Sequence, residues 1–232
     1  MSGAGKTRLA LDGLCQNWGL YITCRPKLGP GSGSEDFRVA TETLQVMSTW
    51  NNGKSPKDIK NTQAADRTFA MLLCARVFIL MQIVKKIPVG TDATVARRRW
   101  VLAQVLPPNL EFGGPSSDIF SIVLQSLWRA STTILYSLIR SLMLFVTQRQ
   151  DLFPEGPNTI LFVVIDEAQM AADHLKEYSR STTTGAHMRP IPMKCIGSFW
   201  SIHQLWAGLF SRGLGCRCKW WRRKWVHLPP KR

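Results

Sequence analysis

The chain has 232 residues, of which 45% are hydrophobic and 19% are charged. This composition excludes disordered, collagen-like and low-complexity proteins, and the length suits one domain or a domain with a large insertion. The formal net charge is +15, and all acidic residues lie at or before Glu177. The chain therefore has a nearly balanced body and a strongly basic end, which would attract nucleic acid, anionic lipid or acidic partners.

Cysteine content and hydrophobic patterning predict a soluble intracellular protein, cytoplasmic or nuclear. The six cysteines are too few for a disulfide framework, so we expect reduced thiols rather than disulfides or a zinc site. No signal peptide is visible at the start of the sequence. The most apolar stretch, residues 69–84, contains Arg76 and is shorter than the roughly 20 apolar residues that a membrane span needs. No membrane span is expected.

The predicted elements begin with a glycine-rich turn and a first helix that Gly19 can stop. Residues 20–24 then form a short strand. Four helical patterns follow, at residues 36–50, 64–86, 95–106 and 118–147, and Ser116 or Ser117 is expected to cap the last of them. Residues 160–165 are an unbroken apolar run, which predicts a strand covered on both sides, as in a parallel sheet. A short helix is predicted at residues 168–178.

The long apolar helices are expected to pack on each other or on the sheet. Each contains arginine within an otherwise apolar pattern, namely Arg76 in the first and Arg129 and Arg140 in the second. Because a buried charge needs a partner, we expect these arginines to reach a solvent edge or an acidic side chain.

Residues 2–7, SGAGKT, contain most of a phosphate-binding P-loop. In such a loop the backbone N–H groups cradle phosphate oxygens, the lysine reaches the β- and γ-phosphates, and the threonine hydroxyl binds Mg²⁺. The pattern assigns Gly3, Ala4, Gly5, Lys6 and Thr7 to nucleotide binding, and Thr7 also to the metal. The first glycine of the full pattern would fall before residue 1, so we expect a motif truncated at its front. The alternative is an N-terminus that spells GKT by chance.

Asp166 and Glu167 directly follow the second predicted strand. An aspartate at the carboxyl end of a strand can hold Mg²⁺, and the following glutamate can orient an attacking water as the catalytic group. The alternative is that the two acids only cap the next helix, where negative charge is favourable. Their order in the chain after GKT favours the nucleotide interpretation. We expect Lys6 and Thr7 to lie near Asp166 at the carboxyl edge of the sheet.

Several basic residues are further candidates. Arg180 and Arg189 are the nearest arginines after the second motif that could contact a γ-phosphate. The RRR run at residues 97–99 is expected to be a solvated helix face, with contact to phosphate or to an acidic partner as the alternative. The KWWRRKW run at residues 219–225 combines charge with aromatic rings. This combination is typical of single-stranded nucleic-acid or membrane-interface contacts. Residues 166–169 spell DEAQ, as in a helicase motif, but the remaining chain is too short for a second helicase half.

Four phrases together resemble a group of fungal P-loop proteins that are similar to Crinkler-type and retrotransposon-hot-spot-type NTPases. They are SGAGKTRLALDGLCQNWGLYITC, RRRWVLAQVLPP, SSDIF and ILFVVIDEAQMAA, and the resemblance extends over residues 2–192. It implies an α/β ATPase core with a helical insertion between the two motifs. It also implies Walker A roles for Lys6 and Thr7 and Walker B roles for Asp166 and Glu167. The basic C-terminal end departs from the strands expected there.

The sequence therefore predicts an α/β fold, an incomplete P-loop NTPase-like parallel sheet with a large helical insertion. The core is expected at residues 1–178, with the insertion at about 35–150, and a basic, partly irregular segment at residues 179–232. The expected ligands are ATP and Mg²⁺. We expect no saturable hydrolysis by the chain, because the front half of its phosphate loop is missing. The alternative is a non-enzymatic basic protein that binds nucleic acid or an acidic partner through its arginine-rich helix and its tail.

Overall fold

A computed structural model of the chain describes residues 4–24, 34–46, 59–107, 109–110, 117–156 and 159–167. All of them belong to one structural unit, Met1–Ile196, and a second unit spans Gly197–Arg232. The predicted helix at residues 168–178, the predicted boundary at 178/179 and the basic tail lie outside the described residues.

Helices dominate the described residues. The elements in chain order are α1 (Ala4–Gln16), β1 (Gly19–Thr23), α2 (Glu35–Val46), α3 (Ile59–Lys86), α4 (Ala93–Val105), β2 (Asn109–Leu110), β3 (Ser117–Asp118), α5 (Ile119–Ser126), α6 (Thr132–Thr147) and β4 (Phe162–Asp166). The predicted mixture of helices and strands is confirmed, and helices α2–α6 lie in sequence between the two paired strands β1 and β4.

Strands β1 and β4 form a parallel pair, as predicted for two strands that are joined by a long helical crossover. The register places Gly19 opposite Phe162 and Thr23 opposite Asp166. Since α1 immediately precedes β1 and packs against it, the N-terminus of α1 lies at the carboxyl end of both strands. A second, antiparallel bridge joins β2 to β3.

The prediction that the second strand is covered on both sides is wrong for the described residues. Phe162 and Val163 are 37% and 36% exposed, and the other residues of β4 are half-buried. The reason is that, within the described residues, β4 contacts chiefly its strand partner β1 and helix α1, which leaves these side chains partly exposed. A continuous apolar run therefore does not require a central strand in a wide sheet.

Side chains of α4 form hydrogen bonds with the edge of β1 that faces away from β4. The amide oxygen of Gln104 accepts the Tyr21 N–H at 2.8 Å. The Trp100 indole N–H donates to the Gly19 carbonyl at 2.7 Å, and the Gln104 amide nitrogen donates to the same carbonyl at 3.3 Å. These bonds satisfy backbone groups that an additional strand would otherwise have paired, so α4 covers the outer edge of β1.

Helix α1 ends at Gln16, earlier than the predicted stop at Gly19. Both the N–H and the side-chain amide of Asn17 donate to the Gly13 carbonyl, which closes the last turn. Gly19 instead begins β1, at a point where the backbone is crowded. A Cβ there would lie 2.5 Å from the Phe162 carbonyl oxygen and 2.5 Å from Leu14 Cδ2. Glycine is therefore needed at this position for close approach of the two strands and not to terminate a helix.

The predicted long helix at residues 118–147 is wrong, because the structure contains two helices, α5 and α6. The Ser131 hydroxyl accepts the Ile134 N–H at 3.3 Å and starts a new helix. The Arg67 guanidinium on α3 donates to the carbonyls of Trp128 and Ala130, which lie in the break. The first helix is capped by Asp118, whose carboxylate accepts the Ser121 N–H, and not by the predicted serines.

Helices α2, α3, α5 and α6 form a helical layer. Helix α3 lies at its centre and packs against the other three. The predicted packing of the long apolar helices is thus confirmed. In the described residues one helix, residues 63–86, is long and apolar enough to cross a membrane, and 78% of its most apolar window is buried inside the protein. Burial among neighbouring helices accounts for this apolar character without a membrane, because a helix that is hydrophobic all round suits the core of a large protein.

Arg76 lies in the middle of α3 and joins the helical layer to β1. Its guanidinium forms two hydrogen bonds with the Asp36 carboxylate, at 2.7 and 2.8 Å, and both side chains are almost fully buried. It also donates to the Tyr21 carbonyl and lies over the Phe120 ring, with its Cζ atom 4.8 Å from the ring centroid. Burial and the charge of Asp36 raise the pKa of the neighbouring Asp118. The expected acidic partner of Arg76 is therefore Asp36.

Candidate functional site

The two sequence motifs meet at the carboxyl end of the β1–β4 pair. The Thr7 hydroxyl on α1 donates to Asp166 Oδ2 at 2.8 Å, although the two residues are 159 positions apart in the chain. Asp166 is the last residue of β4, so its position follows directly from the parallel register. The expected proximity of Thr7 and Asp166 is thus observed.

The first turn of α1 contains the remaining residues of the phosphate motif that the structure describes. The helix begins at Ala4, so Gly5, Lys6 and Thr7 lie in its first turn, directly after the start of the predicted glycine-rich segment. Gly3 lies outside the described residues. The first four N–H groups of a helix have no partner within it and carry partial positive charge, which favours an anion. Lys6 is exposed beside them.

Gly5 leaves open space at this helix end. A Cβ built at Gly5 meets no atom within 4 Å, and the same holds for Gly13 on the same helix. The fold itself therefore does not require glycine at either position. A requirement for glycine at position 5 alone would have to come from a ligand that approaches the backbone.

The Asp166 carboxylate is held by three donors from three parts of the chain. Its Oδ2 atom accepts hydrogen bonds from the Thr7 hydroxyl at 2.8 Å and from the Tyr21 hydroxyl at 2.9 Å. Its Oδ1 atom accepts the N–H of Glu167 at 3.0 Å. An ionised carboxylate offers about four acceptor sites, so these bonds fix its orientation and leave little freedom to rotate.

Glu167 has a left-handed backbone, with φ of 54°. Among the described residues it is the one non-glycine position with positive φ. This conformation costs a residue with a Cβ atom about 1–2 kcal/mol, and such strain is often found at functional sites. Glu167 lies in the turn that follows β4, and its side chain is half-buried. The left-handed backbone therefore determines the direction in which this side chain leaves the chain.

Tyr21 is a site residue that the sequence reasoning missed. Its hydroxyl contacts Asp166. The pKa of Tyr21 is raised, chiefly by burial and secondly by the hydrogen bond to Asp166. Alternation along β1 could have identified it, because Tyr21 and Thr23 share one face of the strand and Leu20 and Ile22 share the other. Pairing with β4 puts Asp166 opposite Thr23, on the same face as Tyr21.

Cys24 lies directly beyond β1 and is buried near the two acids. Burial, with smaller effects of the charges on Asp166 and Glu167, raises the pKa of its thiol to about 12. Its backbone N–H donates to the Asp166 carbonyl at 2.9 Å and extends the pairing of the strands. A neutral buried thiol behaves as a small apolar side chain, so Cys24 contributes packing rather than a nucleophile.

The oxygen atoms at the corner formed by α1, β1 and β4 are chemically suited to Mg²⁺ bound together with phosphate. Thr7 and Asp166 offer a hydroxyl and a carboxylate, and Mg²⁺ prefers oxygen ligands. Within the ranges described, no group of three or more His, Cys, Asp or Glu side chains could hold a metal ion. An all-protein metal cage is therefore not present in that part of the chain. Mg²⁺ commonly uses one or two protein oxygens, with substrate phosphates and water completing its shell, and these residues fit that pattern.

The arginine-rich helix α4 contributes to the fold as well as to the surface. The Arg97 guanidinium donates to the Cys15 carbonyl at 3.2 Å and to the Thr94 hydroxyl at 3.1 Å, which ties α4 to the end of α1. Arg98 and Arg99 are exposed. Arg180, Arg189 and the KWWRRKW tail lie outside the described residues. Nucleic-acid binding through these groups remains a prediction from the sequence.

Comparison of the chain with protein-family models, with curated proteins and with solved structures found no match. The functional interpretation therefore depends on the residues of this site and on the physical chemistry of their arrangement.

Proposed function

We propose that the chain is a P-loop NTPase-like protein that binds ATP with Mg²⁺ at the corner formed by α1, β1 and β4. The observation that carries the proposal is the hydrogen bond from Thr7 to Asp166, at 2.8 Å. This bond joins the predicted phosphate motif to the carboxylate that is predicted to bind the metal, and the two residues are 159 positions apart in the chain. Two acids that served only as a helix cap would not require a threonine from GKT as their partner.

Each group at the corner has a distinct role in this proposal. The N–H groups in the first turn of α1 bind phosphate oxygens, and the Lys6 ammonium neutralises their charge. Thr7 and Asp166 would hold Mg²⁺, which supplies electrostatic stabilisation of the phosphates when bound. Glu167 would orient a water at the terminal phosphate. The proposed activity is the binding of ATP together with Mg²⁺.

The two open glycines of α1 provide a matched test. In Gly5→Ala and in Gly13→Ala, a methyl group enters space that holds no atom within 4 Å. Alanine stabilises a helix by roughly 0.5–1 kcal/mol relative to glycine, so neither variant should lose stability. Only Gly5 lies where phosphate would approach the backbone. We therefore expect Gly5→Ala to lose ATP binding, whereas Gly13→Ala keeps it.

Thermal unfolding with and without ATP and Mg²⁺ is the measurement. A ligand at about ten times its dissociation constant stabilises the folded state by about 1.4 kcal/mol, so about 10 mM nucleotide reveals even a site with a dissociation constant of about 1 mM. Lys6→Ala should lose the same stabilisation, and Lys86→Ala, at the exposed end of α3, is its control. Stabilisation of the wild type that persists in Gly5→Ala and Lys6→Ala would contradict the proposed site.

A further inference from the structure

The Tyr21 hydroxyl shares one carboxylate oxygen with the predicted metal-binding threonine. Asp166 Oδ2 accepts Thr7 at 2.8 Å and Tyr21 at 2.9 Å. A threonine hydroxyl has one proton and two lone pairs, so Thr7 can donate to Asp166 and still offer a lone pair to a cation. The Tyr21 hydroxyl donates its proton to Asp166 and thereby fixes the carboxylate from the strand side.

Two hydrogen bonds hold the backbone of Tyr21 in place. Its N–H donates to Gln104 at 2.8 Å and its carbonyl accepts from Arg76, which is itself paired with Asp36 inside the helical layer. The Tyr21 side chain is 6% exposed. The phenol therefore stays against Asp166, because neither the strand nor the ring can move without breaking buried hydrogen bonds or packing.

We propose that Tyr21 is a positioning residue that orients the Asp166 carboxylate for Mg²⁺ and so sets the metal dependence of ATP binding. The inference rests on the proposed function. Residues that hydrogen-bond a metal-binding carboxylate fix its orientation, and their loss typically weakens metal affinity by about 10- to 100-fold. Tyr21 touches neither nucleotide nor metal in this account, because it acts through Asp166.

The test compares ATP affinity in Mg²⁺ with ATP affinity in EDTA for the wild type and for Tyr21→Phe, by ligand-observed NMR. Tyr21→Phe removes one hydroxyl and keeps the ring. We expect it to reduce the tightening of ATP binding by Mg²⁺ about 10- to 100-fold and to leave metal-free ATP affinity within about twofold. The matched control is Tyr136→Phe on α6, which removes another half-buried hydroxyl and should leave the Mg²⁺ effect unchanged.

A second variant shows whether Tyr21 acts through Asp166. In an Asp166→Asn background, Tyr21→Phe should cause no further loss of the Mg²⁺ effect, because two residues that act as a unit are not additive. Should Tyr21→Phe fail to fold by circular dichroism, 3-fluorotyrosine at position 21 keeps the hydroxyl as a stronger donor. That replacement is expected to strengthen the Mg²⁺ effect, and an unchanged effect would overturn the inference.

The outcomes separate this inference from the proposed function. A wild type that binds no ATP, or binds it equally with and without Mg²⁺, overturns both. A wild type with a clear Mg²⁺ effect that Tyr21→Phe retains in full overturns the role of Tyr21 alone. Equal losses of affinity in Mg²⁺ and in EDTA would assign Tyr21 a general structural role and likewise overturn the inference.

Discussion

The helical layer and the corner at Asp166 are built on opposite principles. In the layer, α3 contributes residues such as Met71, Leu72 and Leu80 that are fully buried, and its buried Arg76 is paired with Asp36. At the corner, Lys6 is exposed, the strand β4 is at most half-buried, and Glu167 has a strained backbone. The layer is thus a source of stability, and the corner combines polar groups with partial exposure and backbone strain.

A short chain of hydrogen bonds connects the two regions. Asp36 pairs with Arg76, Arg76 bonds to the carbonyl of Tyr21, and the Tyr21 hydroxyl bonds to Asp166. The comparison teaches that the buried ion pair in the layer also fixes the strand that positions the site.

The largest expected effect is that of Arg76→Met. Removing one partner of a buried ion pair leaves the other charge uncompensated, at a cost of about 3–5 kcal/mol. The free energy of unfolding in urea should fall by that amount. Arg140→Met, at an exposed position on the neighbouring helix α6, is the control and should change stability by no more than about 0.5 kcal/mol. Similar losses in both variants would contradict the special role of Arg76.

Gly19→Ala tests the crowded start of the parallel pair. Its methyl carbon would lie 2.5 Å from the Phe162 carbonyl oxygen, so the strands must separate. We expect a loss of about 1–3 kcal/mol in urea unfolding, typical of overpacking. Gly13→Ala, three residues before the end of α1, should instead gain roughly 0.5–1 kcal/mol. A neutral Gly19→Ala would show that β1 and β4 are not held this closely.

Alkaline pH should weaken the fold through two buried thiols, one in each region. Burial raises the pKa values of Cys24 and Cys74 to about 12, from an ordinary value of 9.0. Because the folded state disfavours the thiolate, stability is fully present below pH 9 and is lost as the pH rises towards 12. The loss is about 1 kcal/mol per thiol by pH 10.

The measurement is the urea midpoint between pH 8 and pH 10. The double variant Cys24→Ala/Cys74→Ala should show a shallower decline than the wild type, while Cys15→Ala, at a half-buried position on α1, should follow the wild type. Identical slopes in all three proteins would mean that the two thiols are not buried as the structure shows.

Glu167→Gly should stabilise the protein by about 1 kcal/mol, because glycine adopts the left-handed backbone without strain. The melting temperature of the ligand-free protein is the observable. Glu155→Gly provides the matched control, since Glu155 is exposed and is not among the positive-φ positions. It should give no such gain. A melting temperature that falls in Glu167→Gly would indicate that the side chain stabilises the fold by more than the strain costs.

Much of this architecture could be predicted from local sequence patterns. Short apolar runs identified β1 and β4, and the order of GKT and Asp166-Glu167 predicted their meeting at one sheet edge. The starts of α2, α3 and α4 were also predicted within about five residues, whereas α5 and α6 were predicted as one helix. Such features depend on periodicity and on topological rules that act along a short stretch of chain.

The missed features depend on contacts between distant residues. The break between α5 and α6 is stabilised by Arg67, which lies on another helix, and no local signal reveals that partner. The contact of Tyr21 with Asp166 requires the register of two strands, and the two residues are 145 positions apart in the chain. Gly19 was interpreted as a helix stop. Its actual role, to allow close approach of the Phe162 carbonyl on β4, depends on a residue far away in the sequence. These errors arise where tertiary packing decides the outcome.

The most direct test of the central claim is a double-mutant cycle on Thr7 and Asp166. ATP affinity is measured in Mg²⁺ for the wild type, Thr7→Val, Asp166→Asn and the double variant. If the two side chains hold one metal ion with the nucleotide, their effects are coupled by about 1–3 kcal/mol, so that the double variant is little weaker than either single variant. Additive losses, or an ATP affinity that is insensitive to all three changes, would contradict the claim that Thr7 and Asp166 form one nucleotide site.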